Sequence, residues 1–340
     1  MRPFEFTRAE DARSAMGAYR PEWNDGGAIN AASQYLAGGT TLLDLMKLDV
    51  MRPSRVIDIN ALHDTSLGRI DAGPRGIRFG ALVRMSEAAD HPQVRRDFPV
   101  ISQSLDLAAS AQLRNMASLA GNMLQRTRCT YFRDTSYPNC NKRSPGSGCA
   151  ALDGFNRPHA VLGTSNHCIA TYAGDFGQAL IALDAVVEIA GPRGLRQITF
   201  ASLHRPPGTT PHIETTLAPG ELITAIMVPA TPFARRSLYL KVRDRESYEF
   251  ALASAAVALD LDGGTVRQAR IALGGTTTIP WRAREAEAQL RGKPLDDETA
   301  AAAADAAYAR AVPRQHNAFK VELGKRTLIR ALHQAAALEI

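Results

Sequence analysis

Residues 34–47 read QYLAGGTTLLDLMK, a short apolar run followed by two glycines, two threonines and an apolar helical pattern. Residues 34–37 predict a strand and residues 42–47 a helix, so the glycines lie at the turn between them. Glycine lets the backbone turn and present its N–H groups, and the start of a helix favours an anion. The segment is typical of a phosphate cradle, although a structural turn accounts for it equally well, and it matches neither the Rossmann fingerprint nor the P-loop.

Outward from this segment, strand and helix patterns alternate and predict an α+β protein of more than one domain. We expect a lobe at residues 1–60, a second lobe at residues 61–228 and a C-terminal domain at residues 235–340. The linker before the C-terminal domain is indicated by Pro229 and Pro232, because proline interrupts helices and central strands. Beyond it, three strand patterns precede helices, and Asp262-Gly263-Gly264 predicts a hairpin turn between two of these strands.

Composition excludes several functional classes. The chain has 340 residues, of which 45% are apolar, which is enough for more than one core. Its net charge of +6 is scattered, with no basic run interleaved with aromatics, so we expect no nucleic-acid partner. No run of eighteen apolar residues predicts a membrane span, and the first six residues lack the pattern of a signal peptide. We expect a cytoplasmic protein by default, with export of an assembled complex on a partner's signal as the alternative.

A cysteine-bearing segment at about residues 125–168 holds all four cysteines of the chain, Cys129, Cys140, Cys149 and Cys168. The segment is rich in Gly, Pro, Ser, Asn and Arg and is far longer than an ordinary connection, which favours a functional loop. Reduced, metal-binding thiols are our interpretation. No C-x2-C pair of the structural zinc type occurs, so a [4Fe–4S] cluster is favoured over zinc and over unligated or disulfide-bonded cysteines, and His159 or His167 could replace one ligand.

A small-residue segment lies just before the cysteines, at residues 113–122. Arg114 offers a fixed cation, Asn115 and Asn122 offer amides, and the alanines, serine and glycine between them keep the surface low. Such a surface would let a phosphate or a flat ring approach the backbone. A tight turn between a helix and a loop explains the segment equally well.

Four motifs together resemble one family, the FAD-binding medium subunits of molybdenum hydroxylases, which include xanthine dehydrogenase, carbon monoxide dehydrogenase and bacterial aldehyde oxidoreductases. The resemblance spans nearly the whole chain and rests on residues 36–42, 114–122, 174–180 and 270–275. It implies a two-lobed α/β FAD-binding domain followed by a C-terminal domain of a three-stranded antiparallel sheet with helices. Ala120 stands where the family usually has a glycine.

The resemblance also implies roles for individual residues. The first two motifs would wrap the FAD pyrophosphate and approach the flavin, and two further residues would lie near the flavin. The expected cofactor-binding residues are Ala37, Gly38, Gly39, Thr40, Thr41, Leu42, Leu43, Arg114, Asn115, Ser118, Gly121, Asn122, Asp175 and Lys241. The cysteine-bearing segment looks like that of the aldehyde-oxidoreductase type, in which four cysteines hold a [4Fe–4S] cluster.

The function implied is that of an electron-transfer flavoprotein subunit without a catalytic acid or base of its own. A molybdenum-cofactor large subunit would oxidise the substrate, a [2Fe–2S] small subunit would relay electrons, and FAD would pass them to an external acceptor. Two other functions stay open. One is a self-sufficient flavin oxidase, and the other is a zinc-stapled binding protein without redox activity.

Overall fold

The computed structural model describes residues 1–20 and 27–340, and its N-terminal part contains a small parallel sheet. The strands are β1 (Glu5–Arg8), β2 (Ser33–Leu36) and β3 (Arg55–Asp58), in the order β1-β3-β2. Helix α1 (Ala12–Ala18) begins at Asp11, whose carboxylate accepts a hydrogen bond from the Ser14 N–H. Helix α2 (Leu42–Lys47) follows β2 after the double-glycine turn, so the strand, turn and helix predicted at residues 34–47 are present.

The second sheet is antiparallel and has five strands in the order β4-β5-β8-β6-β7. The strands are β4 (Ile70–Gly73), β5 (Gly76–Gly80), β6 (Val186–Gly191), β7 (Gly194–Thr199) and β8 (Leu222–Pro229). Short helices cover it and carry the second motif: α3 (Met85–Asp90), α4 (Pro92–Asp97), α5 (Pro99–Asp106), α6 (Ala111–Met116), α7 (Leu119–Met123) and, after the cysteine-bearing segment, α9 (Phe176–Ala182). Helix α9 is buried at every position, because it packs between helix α5 and the C-terminal sheet.

The cysteine-bearing segment is ordered by local hydrogen bonds and has little regular structure. Helix α8 (Thr130–Arg133) begins directly after Cys129. Cys140 and Cys149 face each other across an antiparallel bridge, in which the Asn141 N–H donates to the Gly148 oxygen at 2.7 Å. The turn that closes this bridge needs left-handed backbone, which Gly146 (φ 83°) and Gly148 (φ 97°) provide.

The C-terminal sheet has four strands, so the prediction of three is corrected. Strands β9 (Ser237–Val242), β10 (Ala253–Asp262) and β11 (Thr265–Gly274) are the predicted ones, and the hairpin turns at Gly263 and Gly264 as expected. The additional strand, β12 (Trp281–Arg282), pairs with Ala272 and Leu273 and has only two residues, too few to leave a strand pattern. The sheet packs against α10 (Arg284–Leu290), α11 (Asp297–Tyr308) and α12 (Phe319–Ala336).

A buried ion pair joins the start of helix α9 to the C-terminal sheet. The Lys241 ammonium on β9 donates to Asp175 at 2.8 Å, and the Tyr239 hydroxyl donates to the same carboxylate at 2.6 Å. Asp175 stands at the start of α9, so this contact fixes that helix against the sheet. In the described part of the chain, no helix is both long enough and apolar enough to cross a membrane.

Candidate functional site

The double-glycine turn and the small-residue segment meet through their backbones. A side chain at Gly38 would place its Cβ 1.8 Å from the Met116 carbonyl oxygen, which is far inside van der Waals contact. Gly39 has a φ of +75°, and its carbonyl accepts the Leu43 N–H that opens helix α2. The two motifs recognised in the sequence therefore form one continuous backbone surface. Any side chain at Gly38 would push the two motifs apart.

Two polar residues that the sequence analysis missed hold these motifs together. The Arg84 guanidinium donates to the Met116 oxygen at 2.7 Å and to the Asn60 side-chain oxygen at 3.1 Å. The Asn60 amide in turn donates to the Ala37 oxygen at 2.9 Å. Arg84 thus connects the small-residue segment to the end of the double-glycine strand. Neither residue lies in a recognisable motif, so only the tertiary structure identifies them.

A cavity of about 280 Å³, open to solvent, extends over this backbone surface, and we name it the cofactor cavity. Most of the residues predicted to bind the cofactor line it. They are Ala37, Gly38, Gly39, Thr40, Thr41, Leu42, Ser118 and Gly121. Thr41 begins α2 without a capping hydrogen bond from its side chain, whereas the Ser118 hydroxyl accepts the Gly121 N–H at 3.2 Å. The cavity floor consequently presents glycine backbone and hydroxyl groups.

The other predicted residues do not line the cofactor cavity, and their roles stay predictions. They are Leu43, Arg114, Asn115, Asn122, Asp175 and Lys241. Arg114 donates to the Ala108 oxygen at 2.9 Å, and Asn115 is exposed. The Asn122 amide contacts the Met85 sulfur at 3.3 Å beneath the floor. Asp175 and Lys241 contact each other, in the buried pair between helix α9 and the C-terminal sheet.

Charged side chains form another wall of the cofactor cavity. From the sequence, Arg126 and Lys142 were expected only to offset the charge of a cluster, and no role was predicted for Glu214. Glu214 accepts hydrogen bonds from the Lys142 ammonium at 2.9 Å and from the Arg126 guanidinium. Burial lowers the pKa of Arg126 to about 10 and also lowers the pKa of Lys142. These residues are far apart in the sequence. The basic character of the cysteine-bearing segment was the one feature of the sequence that pointed to them.

His204 lies in the same wall with a ring nitrogen that has no partner. Burial, followed by the charge of Lys142, lowers the pKa of His204 to about 4. Its Nε2 atom is buried without a hydrogen-bond partner among the described residues. The ring contacts Tyr172 edge-on, with centroids 5.1 Å apart. A buried unpaired nitrogen on a cavity wall is available to a bound ligand.

A second cavity, of about 190 Å³, adjoins the cofactor cavity, and the two share Thr127, Thr171 and Tyr172 as lining residues. Its outer side is formed by Phe250, 40% exposed, whose ring lies 5.0 Å below the Arg128 guanidinium. Together the two cavities form an extended space with a polar, glycine-floored part and a part that carries an aromatic side chain. That division of chemistry suits a dinucleotide with a flat ring at one end.

The four cysteines line one small cavity, which we name the thiol cavity. Cys129, Cys140 and Cys168 are buried, Cys149 is half-buried, and all four are free thiols. Burial, with smaller contributions from the neighbouring thiols, raises the pKa of Cys129 to about 12. In the residues that the structure describes, no three Cys, His, Asp or Glu side chains lie close enough together to chelate a single metal ion.

His159 contacts the thiol group directly. Its Nε2 atom lies 3.1 Å from the Cys129 Sγ atom, and the imidazole is 2% exposed. Burial, followed by the charge of Lys320, lowers the pKa of His159 to about 4. His167, the other histidine considered as a ligand, lines the thiol cavity but is exposed.

The thiol cavity shares walls with both other cavities. Lys142 and Ala170 line it together with the cofactor cavity, and Cys129 lines it together with the second cavity. Ion pairs also join helix α2 to the cysteine-bearing segment. Asp44 of α2 accepts hydrogen bonds from Arg133 at 2.8 Å and from Arg128 at 3.1 Å. The cysteine-bearing segment is therefore built onto the cofactor site itself.

Two protein families match successive parts of the chain. "FAD binding domain in molybdopterin dehydrogenase" matches residues 2–231, and "CO dehydrogenase flavoprotein C-terminal domain" matches residues 238–335. The first covers more than half of the chain, including the double-glycine turn and the small-residue segment.

Individual proteins match over similar lengths. The FAD-binding subunit PaoB of the Escherichia coli K12 aldehyde oxidoreductase is 51% identical over 306 residues, which is 90% of this chain and 92% of PaoB. The carbon monoxide dehydrogenase medium chain of Hydrogenophaga pseudoflava is 26% identical and covers 92% of each chain. A solved structure of carbon monoxide dehydrogenase from H. pseudoflava superposes with a TM-score of 0.74 at 25% identity, covering 99% of this chain and 98% of the other.

Proposed function

The chain belongs to the family of FAD-binding subunits of molybdopterin dehydrogenases, and from this premise we propose that it carries electrons from the partner subunits of an aldehyde-oxidising complex to an external acceptor. Its role as an FAD-binding oxidoreductase subunit follows from the family. The aldehyde substrate is proposed from the 51% identity with an aldehyde oxidoreductase subunit. A molybdenum-cofactor large subunit and a [2Fe–2S] small subunit are the proposed partners.

The cofactor cavity carries this proposal, because its residues suit FAD. The Gly38 and Gly39 backbone and the Thr40 and Thr41 side chains would hold the pyrophosphate, since glycine turns and hydroxyls provide closely spaced donors. Ser118 and Gly121 would face it from the small-residue segment. The second cavity, beside Phe250, would take the flavin ring. When bound, FAD supplies the redox chemistry by accepting two electrons and passing them on.

The charged wall of the cofactor cavity would exclude water and stabilise negative charge. Lys142 and Arg126 present two cations there, and Glu214 offsets one of them, which leaves one net positive charge to attract the pyrophosphate. His204 offers its unpaired ring nitrogen. None of these groups needs to transfer a proton to or from an aldehyde, since oxidation of the substrate is assigned to the large subunit.

We also propose that the four cysteines bind a [4Fe–4S] cluster. Four free thiols line one cavity, and sulfur ligands without a close C-x2-C pair suit an iron–sulfur centre better than structural zinc. Positive side chains offset the negative charge of such a centre. Lys142 lines the same cavity, and Arg143 braces the segment by donating to the Tyr131 and Phe132 oxygens, both at 2.8 Å.

The visible spectrum of the purified chain, with flavin, iron and zinc assays, tests these proposals together. We expect one FAD per chain and four irons. Protein without flavin would refute the main proposal, and colourless, zinc-loaded protein would support the binding-protein alternative. Aldehyde oxidation by the isolated chain would instead support a self-sufficient oxidase.

Replacing one cysteine tests cluster binding independently of flavin binding. In Cys149→Ser, we expect most of the iron to be lost, because a hydroxyl is a much poorer iron ligand than a thiolate, while flavin stays largely bound. Ser136→Ala, an exposed change in the same segment, is the matched control and should keep both. Unchanged iron in C149S, measured by colorimetric assay, would refute the ligand assignment.

A further inference from the structure

His159 is fixed with one edge of its ring against a cysteine sulfur. The Nε2 atom faces the Cys129 Sγ atom at 3.1 Å, whereas Nδ1 is buried with no hydrogen-bond partner among the described residues. The ring's hydrogen bond in the described structure is therefore the one to sulfur. Since a cysteine bound to iron is a thiolate and can only accept, the proton must lie on Nε2.

The backbone of His159 is held by three hydrogen bonds, and the residue is buried, so the ring is confined beside Cys129. Its N–H donates to the Asn156 oxygen at 3.0 Å. Its carbonyl accepts hydrogen bonds from the Lys320 ammonium at 3.1 Å and from the Asn317 amide at 3.4 Å. Lys320 is completely buried and belongs to α12, so the C-terminal domain positions this histidine.

We propose that His159 is a positioning residue that raises the reduction potential of the cluster by donating an Nε2–H hydrogen bond to Cys129. The inference rests on the proposed [4Fe–4S] assignment. One-electron reduction adds a negative charge that spreads onto the ligand sulfurs, and a hydrogen-bond donor to sulfur stabilises that charge. Cys129 and His159 both line the second cavity, so the hydrogen bond lies on the side of the cluster that faces the proposed flavin ring.

The test compares His159→Phe, which keeps a ring and removes the donor, with His159→Gln, which keeps an amide N–H near the position of Nε2. Full-length protein carrying flavin and cluster is titrated with redox mediators while the reduced cluster is followed by electron paramagnetic resonance. We expect H159F to lower the potential by about 59 mV, a tenfold change in the one-electron equilibrium. H159Q should recover most of this shift, and the flavin potential should not change.

His167→Phe is the matched control, because His167 is the neighbour of Cys168 but its exposed ring makes no hydrogen bond to a thiol in the described structure. We expect its cluster potential to equal that of the wild type. An unshifted potential in iron-loaded H159F would overturn the inference alone. Wild-type protein without iron would overturn the cluster assignment and this inference with it.

A measurement on the unmodified sequence decides the matter even where H159F loses its iron. The protein is produced with ¹⁵N-labelled histidine and then reduced. Pulsed electron paramagnetic resonance should show magnetic coupling between the cluster and one histidine nitrogen. The coupling should vanish in H159Q and persist in H167F. Absence of any histidine coupling in the wild type would overturn the inference.

Discussion

The cofactor cavity and the thiol cavity lie side by side and are built in opposite ways. The floor of the cofactor cavity depends on a close backbone contact, because a Cβ at Gly38 would lie 1.8 Å from the Met116 oxygen. The thiol cavity is made of side chains that an irregular segment brings together through single hydrogen bonds and one isolated bridge. Adding one carbon atom to the backbone contact should therefore abolish binding at the cofactor cavity. At the thiol cavity, each substitution should remove only the ligand that it replaces.

Among the substitutions that test this difference between the two cavities, Gly38→Ala is expected to have the largest effect. The added Cβ would lie 1.8 Å from the Met116 oxygen, so the two motifs must separate. We expect the free energy of unfolding to fall by about 4 kcal/mol and flavin content to fall to near zero. Thermal denaturation and the flavin absorbance measure the two effects.

Gly17→Ala is the control for this change. Gly17 belongs to α1 in the same part of the chain, and a Cβ there meets nothing within 4 Å. Alanine favours a helix over glycine, so stability should stay equal or rise by up to about 1 kcal/mol. If G38A bound flavin as G17A does, the backbone contact would not be what builds the cavity.

The contrast also explains which parts of the molecule the sequence could predict. The strand, turn and helix at residues 34–47 leave a local pattern, so the double-glycine turn and its place on the cavity floor were predictable. Strands β1, β4, β7 and β12 were not predicted, because they lie at the edges of their sheets and have no buried residue to mark an apolar alternation. The segment of the cysteines was recognisable from composition, although its folded path was not.

Several contacts between residues far apart in the sequence escaped prediction. Arg84 reaches Met116 and Asn60, and Glu214 joins Lys142 to Arg126. An arginine or a glutamate in isolation carries no local signature, since most such residues are solvated. Their roles depend on burial and on a partner far along the chain, which only the folded structure supplies.

A smaller but still substantial effect is expected for Glu214→Gln, where the two cavities share a wall. The change leaves Lys142 and Arg126, with side chains 12% and 11% exposed, without a compensating charge. Uncompensated buried charge costs about 3 kcal/mol of unfolding free energy. Because Lys142 lines both cavities, we expect both flavin and iron content to fall, which chemical denaturation and cofactor assays would detect.

Glu221→Gln sharpens this second test. Glu221 also lines the cofactor cavity and also pairs with an arginine, but Arg196 is 35% exposed and can be solvated when the pair is broken. We expect a loss of about 1 kcal/mol and unchanged iron. Equal losses in E214Q and E221Q would mean that burial of the Lys142 and Arg126 charges is not what makes Glu214 important.

The smallest effect is expected at Asp44, which ties helix α2 to the cysteine-bearing segment. Burial alone would raise the pKa of Asp44, but Arg133 and then Arg128 outweigh burial and hold this pKa below its usual value. The carboxylate is 33% exposed, so after allowance for solvent screening Asp44→Asn should cost about 1 kcal/mol at pH 7. Urea denaturation measures the difference.

The pH dependence of this difference identifies its cause. A carboxyl group whose pKa is depressed by folding stabilises the protein above its ordinary pKa, and the contribution is lost as the pH falls through the folded value. The gap between wild type and D44N should therefore stay constant from pH 7 to about pH 5 and close below about pH 4. The exposed pair of Asp262 and Arg267 provides the control, since D262N should leave stability unchanged at every pH. A gap for D44N that persisted at pH 3 would show that the two regions are joined there by packing rather than by charge.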